Sequence, residues 1–136
     1  MKTLGIGVDI IDNSRFNHLL KNKNFINRTF SRKEIFFSKK IHKKKYFFSK
    51  RFAAKESFAK ALGTGFRGNL NFKDIEILNN NLGKPYYSIN NKISQLIKKK
   101  KKIRNFELFL SISDEKDYSV AFTIIQKNHD FKKDNN

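Results

Sequence analysis

Arg51-Phe52-Ala53-Ala54-Lys55-Glu56-Ser57-Phe58-Ala59-Lys60 is built almost wholly from good helix formers and sets one carboxylate among cations. At 3.6 residues per turn, Phe47, Ala54, Phe58 and Ala61 share one apolar stripe, and Glu56 lies about 200° from Ala54 and Phe58. Glu56 therefore points away from that stripe. Lys60 follows at i+4 on the same face, while Arg51 and Lys55 flank it within a turn. By itself a Glu–Lys pair is common helix decoration. Its meaning depends on what the rest of the chain brings to it, and the N-terminus makes the grouping read as a phosphate site.

There the chain runs Leu4-Gly5-Ile6-Gly7-Val8-Asp9-Ile10-Ile11. Strict alternation predicts a half-buried strand, with Leu4, Ile6, Val8 and Ile10 toward the core and Gly5, Gly7 and Asp9 on the opposite face. Two residues without side chains followed by a carboxylate let a backbone or ligand approach closely beside one acidic group. Alone, an aspartate at a strand end is an ordinary turn or cap residue.

In combination, Gly5-Ile6-Gly7-Val8-Asp9-Ile10 and Phe52-Ala53-Ala54-Lys55-Glu56-Ser57-Phe58-Ala59-Lys60-Ala61 resemble the two motifs of the holo-acyl-carrier-protein synthases, the small 4'-phosphopantetheinyl transferases of bacterial fatty-acid synthesis. The resemblance continues through Asp74-Ile75-Glu76-Ile77, Gly83-Lys84-Pro85-Tyr86 and Ser111-Ile112-Ser113, so it covers nearly the whole chain. It implies transfer of 4'-phosphopantetheine from coenzyme A to a serine of apo acyl carrier protein. It also implies Mg²⁺ held by Asp9 and Glu56, Lys60 at the leaving phosphate, and Arg51 as an anchor for nucleotide phosphate. Either Glu56 or a metal-positioned water takes the serine proton. Arg15 matches the basic residue that docks the carrier's acidic helix, with Lys21 and Lys23 nearby. The Lys84-Pro85-Tyr86 segment resembles the family's hairpin near the adenine, and the family's short forms assemble as homotrimers with active sites between neighbouring subunits. One departure stands out: where the family usually carries a histidine after Ser111-Ile112-Ser113, this chain has Asp114, with Lys116 close enough in sequence to compensate. His18, His42 and His129 lie in other segments and read as surface residues.

A chain of 136 residues supports one domain and one core. The expected division is a domain over residues 1–126 and a polar tail over 127–136. The lack of cysteine excludes a disulfide framework, a thiolate nucleophile and a cysteine metal site. No signal peptide or spanning apolar stretch is visible, which places the chain in the cytoplasm. Thirty basic against 12 acidic residues give a formal charge of +18, favouring an anionic partner through steering without saying which. Lys98 to Lys102 point all round a helix and read as a solvated helix end.

The remaining pattern predicts an α+β domain, an antiparallel sheet covered on one face by the long helix. Asp12, Asn13 and Ser14 offer cap oxygens before a first helix with Phe16, Leu19 and Leu20 on one stripe. Ser31 and Glu34 form a capping-box signature. The motif helix ends at Gly63, where Gly63, Gly65 and Gly68 supply a left-handed cap and a loop whose amides suit phosphate oxygens. Strands follow from Phe72 to Leu78 and Pro85 to Ile89, then a short helix with Ile93, Leu96 and Ile97. Two more alternating strands carry Phe106 to Ile112 and Tyr118 to Ile124, and the chain frays from about Gln126. Two other readings compete with the transferase: a basic RNA-binding or ribosomal module, which leaves Asp9 and Glu56 without a role, and a transferase fold that has lost activity.

Overall fold

Gly5 and Gly7 decide how the layers meet. In the computed structural model, which describes residues 2–66 and 69–128, strand β1 (Lys2–Asp12) runs against helix α4 (Lys44–Leu62) with its glycine face inward. A Cβ on Gly7 would fall inside the Ser57 carbonyl oxygen and 2.7 Å from the Ala61 amide nitrogen, and one on Gly5 would strike the Ala61 carbonyl. The helix backbone thus lies directly on the strand backbone, which only glycine permits.

This reverses the orientation that alternation suggested. Ile6, Val8 and Ile10 are 58%, 51% and 63% exposed and point away from the core. Leu4 alone of that set turns inward, because the register with the neighbouring strand slips between Thr3 and Gly5. Apolar alternation identifies a strand with two unlike faces but does not say which one the helix covers. Here backbone contact takes the helix side and leaves the apolar side bare.

Three further helices, α1 (Phe16–Leu19), α2 (Lys23–Thr29) and α3 (Arg32–Ser38), follow a 3-10 turn at Asn13–Arg15 and lead into α4. Both bonds of the capping box at Ser31 and Glu34 are present. After α4, strands β2 (Glu76–Asn79) and β3 (Pro85–Ser88) form a separate hairpin, helix α5 (Asn91–Lys101) crosses back, and β4 (Phe106–Asp114) and β5 (Tyr118–Lys127) complete a three-stranded antiparallel sheet in the order β1-β5-β4. β1 is therefore an edge strand. The last strand continues to Lys127 and does not fray at Gln126, since Lys127 pairs with both Lys2 and Phe106. Gly68, His129 and the rest of the expected tail from 129 onward lie outside the described residues.

α4 is more deeply buried than a one-sided amphipathic helix. Between Phe47 and Leu62, only Lys50, Glu56 and Lys60 escape burial. It packs on the large sheet with one side and on α1, α3, α5 and β2 with others. Phe16, Phe30, Phe48 and Phe52 meet in edge-on contacts along it.

Lys55, which the sequence places beside Glu56, is buried elsewhere. Its ammonium donates to Glu34 Oε1 at 2.7 Å, to the Phe72 carbonyl at 2.9 Å and to the Ile75 carbonyl, and both partners of the ion pair are fully inaccessible. Glu34 Oε1 also caps Ser31 N–H at 2.8 Å, and its Oε2 accepts Ile77 N–H at 3.2 Å. Saturation of this kind keeps a buried charge pair tolerable, whereas loss of one partner costs about 3–5 kcal/mol. It also explains why the strand expected from Phe72 begins only at Glu76. Residues Phe72–Asp74 form a 3-10 turn whose flanking carbonyls serve Lys55 and not a ladder.

Gly7→Ala is expected to lower stability by about 3 kcal/mol, the upper range of overpacking, because neither backbone can yield as a side chain would. Urea unfolding of the variant checks this, and a loss below about 1 kcal/mol would mean that the two backbones are less closely seated.

Candidate active site

Asp9 leaves the inward face of edge strand β1, and Glu56 and Lys60 leave the exposed corner of α4, so the three side chains meet at the edge of the sheet. Lys60 Nζ lies 3.1 Å from Asp9 Oδ1 and 3.0 Å from the Val8 carbonyl. Glu56 stands next to them, partly buried. Its carboxyl is held above the ordinary glutamate range, first by burial and then by the Asp9 charge, with Lys60 and Arg15 pulling the other way. Arg15 is exposed at the end of the 3-10 turn, its guanidinium 5.7 Å from the centre of the Phe52 ring. The four residues that the sequence assigned to metal, leaving group and carrier thus lie together.

Two half-buried carboxylates that repel each other form an oxygen-only donor pair suited to a hard divalent cation, which commonly takes one or two carboxylates and completes its octahedron with water and phosphate. Among the described residues, no cluster of three or more acidic, histidine or cysteine side chains offers a fuller cage.

The glycine loop follows α4 directly, and its amides are not all free. Gly63 is left-handed at φ +89° and its N–H closes the helix on the Ala59 carbonyl at 3.0 Å. It is a helix cap, and Gly65, at φ +61°, is the position left for close approach of an anion.

Arg51 does not join this group. It is 5% exposed and lies on the other side of α4, where its Nη2 donates to Asn79 Oδ1 at 2.5 Å and its guanidinium stacks 3.7 Å from the Phe47 ring centre. Burial lowers its pKa to about 10, with Glu34 opposing, so it stays cationic at neutral pH. Its Nε is buried without a hydrogen-bond partner among the described residues. A cleft of about 630 Å³ opens beside it, bordered by Lys43, Tyr46, Lys50, Asn79, Asp114 and Lys116. Asp114 pairs at 3.9 Å with Lys50, not with Lys116. Glu56 is nine residues beyond Phe47, about 180° round the helix. The cleft and the carboxylate centre therefore occupy opposite faces of α4 within one chain.

Sequence reasoning missed the Lys55–Glu34 pair, Asn79 and Lys50. Glu34 was legible only as a cap, and no spacing links residue 34 to residue 55.

A glycine-faced edge strand on a buried helix thus presents an Asp–Glu–Lys corner. The description of the 4'-phosphopantetheinyl transferase superfamily matches residues 5–123, and the chain belongs to that family. Its relatives include a holo-acyl-carrier-protein synthase of Pelagibacter ubique, 61% identical over 127 residues that cover 93% of this chain and 99% of the relative. Among solved structures, the holo-acyl-carrier-protein synthase of Neisseria meningitidis superposes with a TM-score of 0.82 at 36% identity, covering 92% of this chain and 99% of that one. The Bacillus anthracis synthase, solved in complex with coenzyme A (3',5'-ADP), gives 0.77 at 31% identity, covering 94% of this chain and all of that one, 100%.

The raised pKa of Glu56 carries a sign. In the unfolded chain this group ionises in the ordinary range, so the fold favours its protonated form, and stability falls as pH rises from that range through the raised folded value. Glu56→Gln removes the effect. In metal-free buffer at pH 7 the variant is expected to melt above the wild type, with the gap closing below about pH 4, where both states of the wild type are protonated. A variant that melts at or below the wild type at pH 7 would contradict this burial.

Proposed function

We propose that the chain transfers the 4'-phosphopantetheine group of coenzyme A to a serine of apo acyl carrier protein, giving the holo carrier for fatty-acid biosynthesis. The observation that carries this reading is the convergence of Asp9, Glu56 and Lys60 at one corner, 3.1 Å separating Lys60 from Asp9. The serine hydroxyl attacks the β-phosphorus, forming the new P–O bond as the phosphoanhydride bond breaks and 3',5'-ADP departs. Asp9 and Glu56 would hold Mg²⁺, which when bound supplies charge neutralisation on the pyrophosphate. Lys60, held beside Asp9 with its side chain open to solvent, neutralises the leaving phosphate. Either Glu56 or a metal-positioned water takes the serine proton. Arg15, on the same side as Glu56, is placed to guide the acidic carrier. Arg51 in its cleft anchors a nucleotide phosphate, and Gly65 approaches the pyrophosphate.

The cleft and the carboxylates face opposite ways, so one molecule of coenzyme A is best served by the cleft of one subunit and the carboxylates of the next. The bare outer face of the sheet, with Ile6, Val8, Ile10, Phe109 and Phe122 exposed, supports a homotrimer in which that face is covered. An RNA-binding reading has the charge, the lysine runs and the aromatic strands in its favour but gives Asp9 and Glu56 no role.

Asp9→Ala and Glu56→Ala are expected to abolish transfer to purified apo carrier protein, and Mg²⁺ to raise the melting temperature of the wild type but of neither variant. Lys60→Ala should lower turnover by about 100- to 1,000-fold, the effect of losing one preorganised charged donor, with a smaller change in the Michaelis constant. Near-wild-type turnover in any of the three at limiting Mg²⁺ would remove the assignment. Sedimentation at micromolar concentration is expected to show a trimer, and Val8→Glu to dissociate it. A fully active monomer would exclude the shared site.

A further inference from the structure

Asn13 takes no part in the chemistry above, yet it is fully buried and all its polar groups are engaged. Its Nδ2 donates to the carbonyls of Glu115 at 3.0 Å and Lys116 at 3.3 Å. Its Oδ1 accepts the hydroxyls of Ser49 and Ser119, each at 2.7 Å, and its backbone N–H donates to the Asp117 carbonyl at 2.8 Å. One residue next to β1 thus captures three successive carbonyls of the β4–β5 turn. Tyr46 adds a second bond to the Lys116 carbonyl, at 3.1 Å.

That turn reads Asp114-Glu115-Lys116-Asp117 and has no apolar side chain to pack. A charged hairpin tip of this kind ordinarily moves freely. Here its backbone is bound inward, so its side chains depart from fixed positions, and it forms one wall of the cleft beside Arg51. Within that wall, Asp114 lies toward Lys50. Lys116 lines the same cleft without a carboxylate partner among the described residues. Lining the same cleft is the buried Arg51, its Nε without a hydrogen-bond partner among the described residues. Two cations thus border one cleft, one of them 95% buried, and with Lys43 and Lys50 they outnumber the Asp114 and Glu115 carboxylates that line it, a balance suited to a phosphate group.

We infer that Asn13 is a positioning residue for coenzyme A, locking the β4–β5 turn so that Lys116 stands in the cleft with Arg51 as a phosphate-binding cation. This rests on the reading of the cleft as the nucleotide half of the transferase site.

Calorimetric titration of coenzyme A into the full chain and four variants tests it, with melting temperatures and turnover measured in parallel. Asn13→Asp keeps the shape and the two hydroxyl bonds but cannot donate to the turn. It is expected to weaken coenzyme A binding about tenfold, the worth of one charge-assisted hydrogen bond, with turnover at saturation within about threefold of wild type. Lys116→Ala should weaken binding to the same degree at an unchanged melting temperature. The double variant should bind no worse than the weaker single one, since both remove the same contact. Ser49→Ala cuts a bond to Asn13 without touching the turn, so it should lower the melting temperature and leave binding unchanged. Wild-type binding in Lys116→Ala overturns the inference, and decides it even where Asn13→Asp fails to fold. Wild-type binding in a folded Asn13→Asp, or a loss in Ser49→Ala equal to that in Asn13→Asp, also overturns it. If the wild type binds no coenzyme A, the proposed function falls and takes the inference with it; if the wild type binds and the variants match it, the inference alone falls.

Discussion

The contact of the Gly7 backbone with the Ser57 carbonyl and the Ala61 amide sets the geometry from which the rest follows. It holds α4 closer to the sheet than any side chain would permit. Asp9 lies two residues beyond Gly7, and Glu56 immediately precedes Ser57, so this one approach fixes how near the two carboxylates come. A buried hydroxyl cluster pins the same turn of helix from the sheet side. Thr123 Oγ1 lies 2.6 Å from Ser57 Oγ and 2.7 Å from Tyr87 Oη, and Tyr87 donates to the Ala54 carbonyl at 2.7 Å. Burial raises the Tyr87 pKa far out of the physiological range, so this tie does not titrate.

Two lysines one turn apart on α4 show how environment separates structural from chemical charge. Lys55 is sealed against Glu34 and two carbonyls, and its pKa is lowered by burial with Glu34 opposing. Its ammonium cannot leave without exposing a buried carboxylate, so the pair joins α3, α4 and the entry to β2 rigidly. Lys60 makes an ion pair of ordinary length with Asp9, but its side chain is 55% exposed. A pair of that kind is worth little as stabilisation. The exposure of Lys60 leaves its ammonium open to an anionic partner besides Asp9.

The net charge of +18 finds a use in the same frame. Arg15 borders the carboxylate corner, and Lys43, Lys50, Arg51 and Lys116 border the cleft. Both proposed substrates are anionic, and cations around each entrance raise the encounter rate. The lysines from Lys98 to Lys101 fill the last turn of α5, where they oppose the helix dipole, and this accounts for them without a ligand.

Some features were fixed by local chemistry and were legible in the chain. The capping box at Ser31, the helix end at Gly63 and the later strands each depend on neighbours within a few positions, where periodicity and cap chemistry operate, whereas the residues of the carboxylate corner were legible only through the family resemblance. Tertiary structure alone decided the rest. Whether the glycine or the isoleucine face of β1 turned inward depended on a helix some fifty residues away in sequence. So did the pairing of Lys55 with Glu34, the separation of Arg51 from Glu56 to opposite faces of α4, and the conversion of Asn13 from a candidate cap into the clasp of a turn 102 residues distant. Composition and spacing report what a residue can bond to within a turn or a strand. Burial, which decides what it must bond to, is set by whichever distant segment closes over it.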